Sequence, residues 1–454
     1  MNRLPLRSRA VALVAVVAAT SAFGVAGASA ASGADPSITP HRIKVDPDIH
    51  RVNINPDAAT FSCQTRPIDG SAGPRCYTPA QIQAAYGASS LLAHGKDGTG
   101  RTIVVIDAYS NPYLDTDLSI FDSTFGLPAA KFTSIAPQGV PAFDINDGNA
   151  VGWAEEETLD VLWAHAMAPG AKIVLVEASS NQDVDLYNAT KYAVDHNLGD
   201  VISQSFGEAE TCMDPTLLAQ QHRLFDKASR QGMTLFASSG DSGAAQFSCD
   251  GSAAVESAST PASDPLVTGV GGTTLNADGS TGAYLGETAW TETLFGCNPP
   301  AVDLADVGCS GGGISTVYHK PLYQVADVRG SGRGVPDVAY NAGVNGGVLT
   351  HCAVCNLTIG LDPTDPVFFL FGGTSSGSPQ WAAITAITDQ VAHRRLGTIN
   401  PALYALSHLG ARSNPLHDVT TGDNRVVEIG GAGFDARSHW DAVTGLGTPD
   451  AARL

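Results

Sequence analysis

Between residues 102 and 238 the chain alternates short, almost uninterrupted apolar runs with longer amphipathic ones, and this rhythm restricts the fold more than any other feature. Residues 102–107, 172–177, 201–205 and 233–238 read as strands, and residues 114–125, 153–166, 184–196 and 215–231 as helices. Strands that are apolar on both sides must be covered on both faces. The pattern therefore predicts an α/β fold, a mostly parallel central sheet with helices on both faces. In such sheets reactive side chains gather at the carboxyl ends of the strands. Asp107, residues 203–207 and Ser239-Gly240-Asp241 all fall at that edge.

With 454 residues, 43% of them hydrophobic, 49 glycines and 26 prolines, the chain buries a large core and turns often, as one large domain with a small appendage would. The appendage is N-terminal. Arg3, Arg7 and Arg9 precede an apolar run over residues 10–19, followed by Ala28-Ser29-Ala30, so residues 1–30 read as a signal peptide cleaved after Ala30. The run is too short to span a bilayer, and no later stretch is long and apolar enough, which predicts a secreted, extracellular chain without a membrane partner. Residues 31–75 are polar and proline-rich and read as an extended leader. The folded domain is expected over residues 76–454, opening with a helix that Thr78 caps and Pro79 begins.

Losing residues 1–30 removes three arginines and no acids, taking the formal charge from −20 to −23. A chain this acidic offers no general field for nucleic acid or anionic lipid. Its excess carboxylates suit acidic surroundings, where protonation neutralises part of the charge. The eight cysteines all follow the signal peptide, and an even count in an exported chain is compatible with up to four disulfides. Proximity favours Cys63 with Cys76, Cys212 with Cys249, Cys297 with Cys309 and Cys352 with Cys355, although sequence does not fix connectivity. A redox or zinc site at Cys352 and Cys355 lacks a second ligand pair, so a small structural loop is the better reading.

The chemistry centres on residues 368–386. An aromatic run, Phe368-Phe369-Leu370-Phe371, breaks at Gly372-Gly373, presents Thr374-Ser375, and passes Pro379 into an apolar helix. A serine on such a turn is exposed beside the amides of a helix start, which face any oxyanion forming there. A serine also needs a base. Of the 12 histidines, only His165 falls in the helix where subtilisin-like enzymes carry theirs, and it sits in the last turn, a packing or capping position. The start of that helix offers Glu155-Glu156-Glu157 and then Asp160. Glu156 and Asp160, four apart, share a face and titrate as a pair holding one proton.

Taken together, Glu156-x-x-Leu159-Asp160, Ser239-Gly240-Asp241-Ser242-Gly243 and Gly373-Thr374-Ser375-x-x-x-Pro379, in this order, resemble the sedolisin family of serine-carboxyl peptidases. The resemblance spans about residues 76–454 and is reinforced by residues 265–274, 311–315 and 336–339. It implies a subtilisin-like fold and a monomeric, acid-acting serine peptidase, of a family that includes tripeptidyl peptidases, acting on protein or peptide substrates. By position, Ser375 is the expected nucleophile, Glu156 the base, Asp160 its proton-sharing partner and Asp241 the oxyanion group, with Asp107 in a supporting role. Glu156 must be ionised to accept a proton and Asp241 protonated to donate one, which predicts a working window of roughly pH 3–5.

The resemblance extends to a calcium loop near the C-terminus. Its expected ligands are the carboxylates of Asp418 and Asp441 with the carbonyls of Val419, Arg437 and His439, oxygen donors being what Ca2+ prefers. The family usually has glycine where this chain has Arg437 and His439. A second departure is the leader, which is too short and polar for the family's folded inhibitory prodomain. The competing reading is an exported, non-catalytic binding or structural protein on a peptidase fold; a conventional serine protease would need a histidine beside Ser375.

Overall fold

In the computed structural model, which describes the backbone of residues 49–52 and all of residues 61–292, 308–410 and 413–454, eight strands form one central sheet. In chain order they are β1 (Thr102–Ala108), β2 (Lys131–Ile135), β3 (Lys172–Ala178), β4 (Val201–Gln204), β5 (Thr234–Ser238), β6 (Thr268–Ala277), β7 (Tyr284–Ala289) and β8 (Val338–Asn341). Their spatial order is β7-β6-β5-β4-β1-β3-β2, with β8 also beside β6. Every pairing is parallel except that of β6 with β7. The described residues belong to one unit, Pro36–Leu454. The expected signal peptide, most of the leader and the expected Cys297–Cys309 bridge lie outside them or depend on residues that do.

Why the strands read as uninterrupted apolar runs is now visible. Ile103, Val105, Ile173 and Leu175 point into one core with Leu159, Leu162 and Trp163 of α2 (Gly148–Met167), whereas Val104, Ile106, Val174 and Val176 point into a second core with Leu186 and Ala189 of α3 (Asp183–Asp195) and with Leu224 and Phe225 of α4 (Pro215–Arg230). A strand's period of two thus fills two cores at once. Helix α1 (Leu114–Phe125) ends on Gly126 in the left-handed conformation, φ 68°, and α5 (Gly377–Ala392) packs beside α2 on the first face.

Two sequence expectations need correction. Helix α2 starts at Gly148 rather than Trp153, because Asp147 caps it by accepting the Asn149 amide at 2.9 Å. Glu155 to Glu157 therefore sit in mid-helix, and the favourable helix-start dipole does not account for them. Residues 131–135, a largely exposed edge strand without an apolar run, were not expected.

The strand before Ser375, Phe368–Phe371, lies outside the central sheet. It is flanked on one side by Ile49–Val52 and on the other by Gly347–His351, antiparallel to both. The end of the leader is held close by. Cys63 bonds to Cys76, and Phe61, 3% exposed, stacks its ring 5.4 Å from Phe368 and 5.8 Å from Phe125. Bridges Cys212–Cys249 and Cys352–Cys355 form as proximity suggested.

Candidate active site

Ser375 stands on the turn Thr374–Ser376 between Phe371 and α5. Gly373 makes the turn possible. Its φ is 87°, a region open to glycine, and a Cβ there would lie 2.5 Å from Asp241 Oδ2. The Gly373 amide is tied to the Ala342 carbonyl at 2.7 Å, and Ser203 and Ser378 share a hydrogen bond of 2.8 Å at the root of α5. Ser375 itself retains 9% exposure.

The middle of α2 supplies the carboxyls. Glu156 and Asp160, 1% and 0% exposed, face the serine turn. Burial pushes the Glu156 carboxyl well above its ordinary range and the neighbouring Asp160 adds to this, while the adjacent Ser375 hydroxyl favours the ionised form. No hydrogen bond of good geometry reaches either Glu156 oxygen. Asp160 Oδ1 accepts the Ser205 hydroxyl at 2.9 Å, but its burial still raises it. Asp107, at the end of β1, completes a cluster. It is fully buried, neither oxygen has a hydrogen-bond partner, and burial with the nearby charges of Asp160 and Glu156 holds it well above the usual carboxylate range. Like charges in a dry site cannot all ionise, so this cluster stores protons at acid and neutral pH.

Asp241 follows β5 and reaches the same turn at Thr374 and Gly373. Its Oδ1 accepts the Thr374 amide at 2.8 Å and the Thr374 hydroxyl at 2.5 Å. Burial raises Asp241, and the Thr374 bonds offset part of that. The fold thus gathers Ser375, Glu156, Asp160, Asp241 and Asp107 at one sheet edge. His165 is not among them. It lies nine residues beyond Glu156 along α2, about 13 Å by helical rise, with Nε2 bonded to the Pro128 carbonyl at 2.9 Å and Asp122 Oδ1 3.0 Å away. Sequence reasoning missed Ser205 as the group that orients Asp160 and Thr374 as the one that orients Asp241, because each is identified only by a contact across the fold.

In the C-terminal region Asp418 and Asp441 each accept backbone amides from residues 437–444. Asp441 accepts amides from Arg437, Val443 and Thr444 at 2.7–2.9 Å, and Asp418 accepts that of His439 at 3.0 Å. Burial raises both, Asp441 to about 6, and neither forms an ion pair with a basic side chain among the described residues. His439 has φ 66°, so it adopts the left-handed backbone that glycine would favour. Two desolvated carboxylates, Asp418 offset only by His439, suit a hard divalent ion. No such case exists at Cys352 and Cys355 beside Glu155, where the sulfurs are joined to each other.

The subtilase family model matches residues 146–403, more than half of the chain. Kumamolisin of a Bacillus species (strain MN-32) is 33% identical over 394 residues, 85% of this chain and 64% of that protein. Sedolisin of a Pseudomonas species (strain 101) is 30% identical over 398 residues, 83% and 60% of the two chains. A solved structure of Pseudomonas sedolisin, a serine-carboxyl proteinase complexed with two molecules of pseudo-iodotyrostatin, superposes with a TM-score of 0.70 at 28% identity, over 84% of this chain and 97% of that one. The chain therefore spans less than two thirds of the length of both named relatives.

Proposed function

This chain belongs to the subtilase family, in its sedolisin branch, and from that premise we infer that it is an acid-acting serine-carboxyl peptidase. The observation that carries the reading is the convergence of Glu156 and Asp241 on the Ser375 turn, Glu156 beside Ser375 and Asp241 bonded to Thr374, with no histidine in hydrogen-bond contact with Ser375 among the described residues. Ser375 Oγ attacks the carbonyl carbon of the scissile peptide while Glu156 takes its proton. Asp160, oriented by Ser205, shares that proton and keeps the pair singly charged. Protonated Asp241 donates a hydrogen bond to the carbonyl oxygen as it becomes an oxyanion. The tetrahedral intermediate collapses when Glu156 returns the proton to the leaving amine. Water then repeats the sequence on the acyl-enzyme, releasing the acid and restoring Ser375.

Asp107, itself held protonated by burial, supports this as a neutral neighbour that adds no further charge to the Glu156–Asp160 pair. Bound calcium would be held by the carboxylates of Asp418 and Asp441 and the carbonyls of Val419, Arg437 and His439, and would stabilise the C-terminal loop. The reading includes export by residues 1–30. No helix among the described residues is long and apolar enough to cross a membrane. The test is cleavage of a denatured protein by the purified chain from about pH 2 to 8, beside Ser375→Ala and Glu156→Gln. Activity confined to acid and abolished in both variants is expected; a neutral optimum that survives Glu156→Gln would show the assigned base to be wrong.

A further inference from the structure

A cavity of about 300 Å³ opens near the calcium loop, and its polar wall carries three guanidinium groups, Arg329, Arg425 and Arg437. In a chain of 25 basic and 45 acidic residues with net charge −20, such a concentration is against the trend of the surface. Arg425 is matched by Asp435, which accepts from it in a forked arrangement at 2.9 Å. Arg329 and Arg437 are exposed, and their guanidinium groups have no ion pair or hydrogen bond among the described residues. The opposite wall is apolar, formed by Ile314, Phe434 and Trp440. The lining also includes Asp441, whose carboxylate is taken up by the amides of Arg437, Val443 and Thr444, so the two unmatched planar forks beside apolar side chains still suit a carboxylate attached to a hydrophobic or peptide body.

The cavity is connected to the candidate active site by one short run. The Cys309 amide donates to the Asp241 carbonyl at 2.8 Å and the Gly311 amide to the Gly240 carbonyl at 2.7 Å. The same backbone then continues through Gly312 into the strand Gly313–His319, whose second residue, Ile314, lines the cavity. At about 3.3 Å per extended residue, five residues from Cys309 to Ile314 span at most about 17 Å. The run starts beside Asp241, whose carboxyl bonds the residue next to Ser375, so a peptide engaged at Ser375 that enters the cavity does so several residues from the scissile bond.

The geometry points to this cavity as a subsite for a peptide carboxylate, a Glu or Asp side chain or the C-terminus, held by Arg329 and Arg437 several residues from the scissile bond. This rests on the peptidase reading for the identity of the ligand as substrate, but not for the binding itself. The site makes acidic peptides preferred ligands, although the protein as a whole repels them.

The test uses the full chain carrying Ser375→Ala, so that binding is measured without turnover. At pH 5, where a free Glu side chain is ionised, calorimetry compares three synthetic peptides of one sequence: one with an internal Glu, one with Gln in its place, and one with Gln and an amidated C-terminus. Tighter binding of the Glu peptide than of the Gln peptide, by about tenfold, assigns the carboxylate to a side chain. Loss of affinity on amidation alone assigns it to the C-terminus. In either case the preference should disappear in Arg329→Gln/Arg437→Gln. Equal affinity for all three peptides, or a preference that survives the double substitution, would overturn the subsite. Acid cleavage by the parent chain without any carboxylate preference would remove the subsite and leave the peptidase reading; selective binding by a chain that hydrolyses nothing would do the reverse.

Discussion

Thr374 donates twice to a single oxygen of Asp241, through its amide at 2.8 Å and its hydroxyl at 2.5 Å. Because Oδ1 is occupied as an acceptor, a proton on this carboxyl belongs on Oδ2, the oxygen that faces Gly373 and the serine turn. The residue next to the nucleophile therefore decides which end of Asp241 serves as donor.

This leads to a prediction about the alkaline limb of activity. Burial raises the Asp241 carboxyl, so its protonated, donating form persists above the ordinary Asp value of about 4 and is lost as pH rises through the folded value. In Asp241→Asn the amide oxygen can keep the Thr374 bonds and the NH2 group the donor, with no titration. The limit of kcat/KM on the alkaline side should shift upward in Asp241→Asn, while Asp241→Ala should lose about 10²–10³-fold. An Asn variant with an unchanged alkaline limb would sink the oxyanion role.

A second prediction concerns a carboxyl the mechanism does not use. Glu157 is 0% exposed, no hydrogen bond of good geometry reaches either oxygen, and burial, reinforced by Glu177 and offset in part by the Asn111 amide, pushes it well above its ordinary value. A raised carboxyl contributes stability that is intact below its unfolded value and lost as pH rises through the folded one. Glu177, held at about 7, acts in the same direction. The chain should melt highest in acid and lower toward pH 8. In Glu157→Gln the melting temperature should be unchanged near pH 4 and higher by about 2–4 °C at pH 8. A variant equally destabilised at both pH values would instead mean that the carboxyl is held by an unrecognised bond.

Calcium gives a third. If Asp418 and Asp441 hold the ion, chelation should lower the melting temperature of the full chain, and adding calcium should raise it in a concentration-dependent way, by about 2.7 kcal/mol of stability at one hundred times the dissociation constant. Asp441→Asn should remove that dependence. Melting that is indifferent to both chelator and calcium would leave the two carboxylates without their proposed ligand.

How much of this was legible in the chain follows from what each residue depends on. Helix α1 was readable at both ends, since its apolar period is clear and Gly126 stops it. The start of α2 was not, because the true signal, Asp147, precedes residues 148–152, whose glycines and polar side chains hide the helical period. Ser375, Glu156, Asp160 and Asp241 were nameable from motifs, and the fold gathers them. Their orienting partners Ser205 and Thr374 were not, since contacts between positions 45 and 133 residues apart leave no local pattern. The separate sheet around Phe368–Phe371 was hidden for the same reason. Besides the nearby Gly347–His351, its members, Ile49–Val52 and Cys76–Tyr77, come from near the N-terminus, and an apolar run does not state which sheet it joins.

The sharpest prediction falls on Gly373. Its φ of 87° already strains any L side chain, and a Cβ there would meet Asp241 Oδ2 at 2.5 Å, closer than real contacts allow. Either Asp241 is pushed from its Thr374 bonds or the turn carrying Ser375 shifts. Both displace the oxyanion donor relative to the nucleophile, and misplacement of about 1 Å is enough to lose about 10²-fold in rate. Gly373→Ala should therefore lose at least about 10²-fold in kcat. Because the turn is backed by the packed strand Phe368–Phe371 and by α5, the protein should still fold, with a destabilisation of about 1–3 kcal/mol. Measuring kcat, KM and the melting temperature together separates the cases. A folded Gly373→Ala protein with near-parental kcat would mean that Asp241 does not act at the position the turn now gives it.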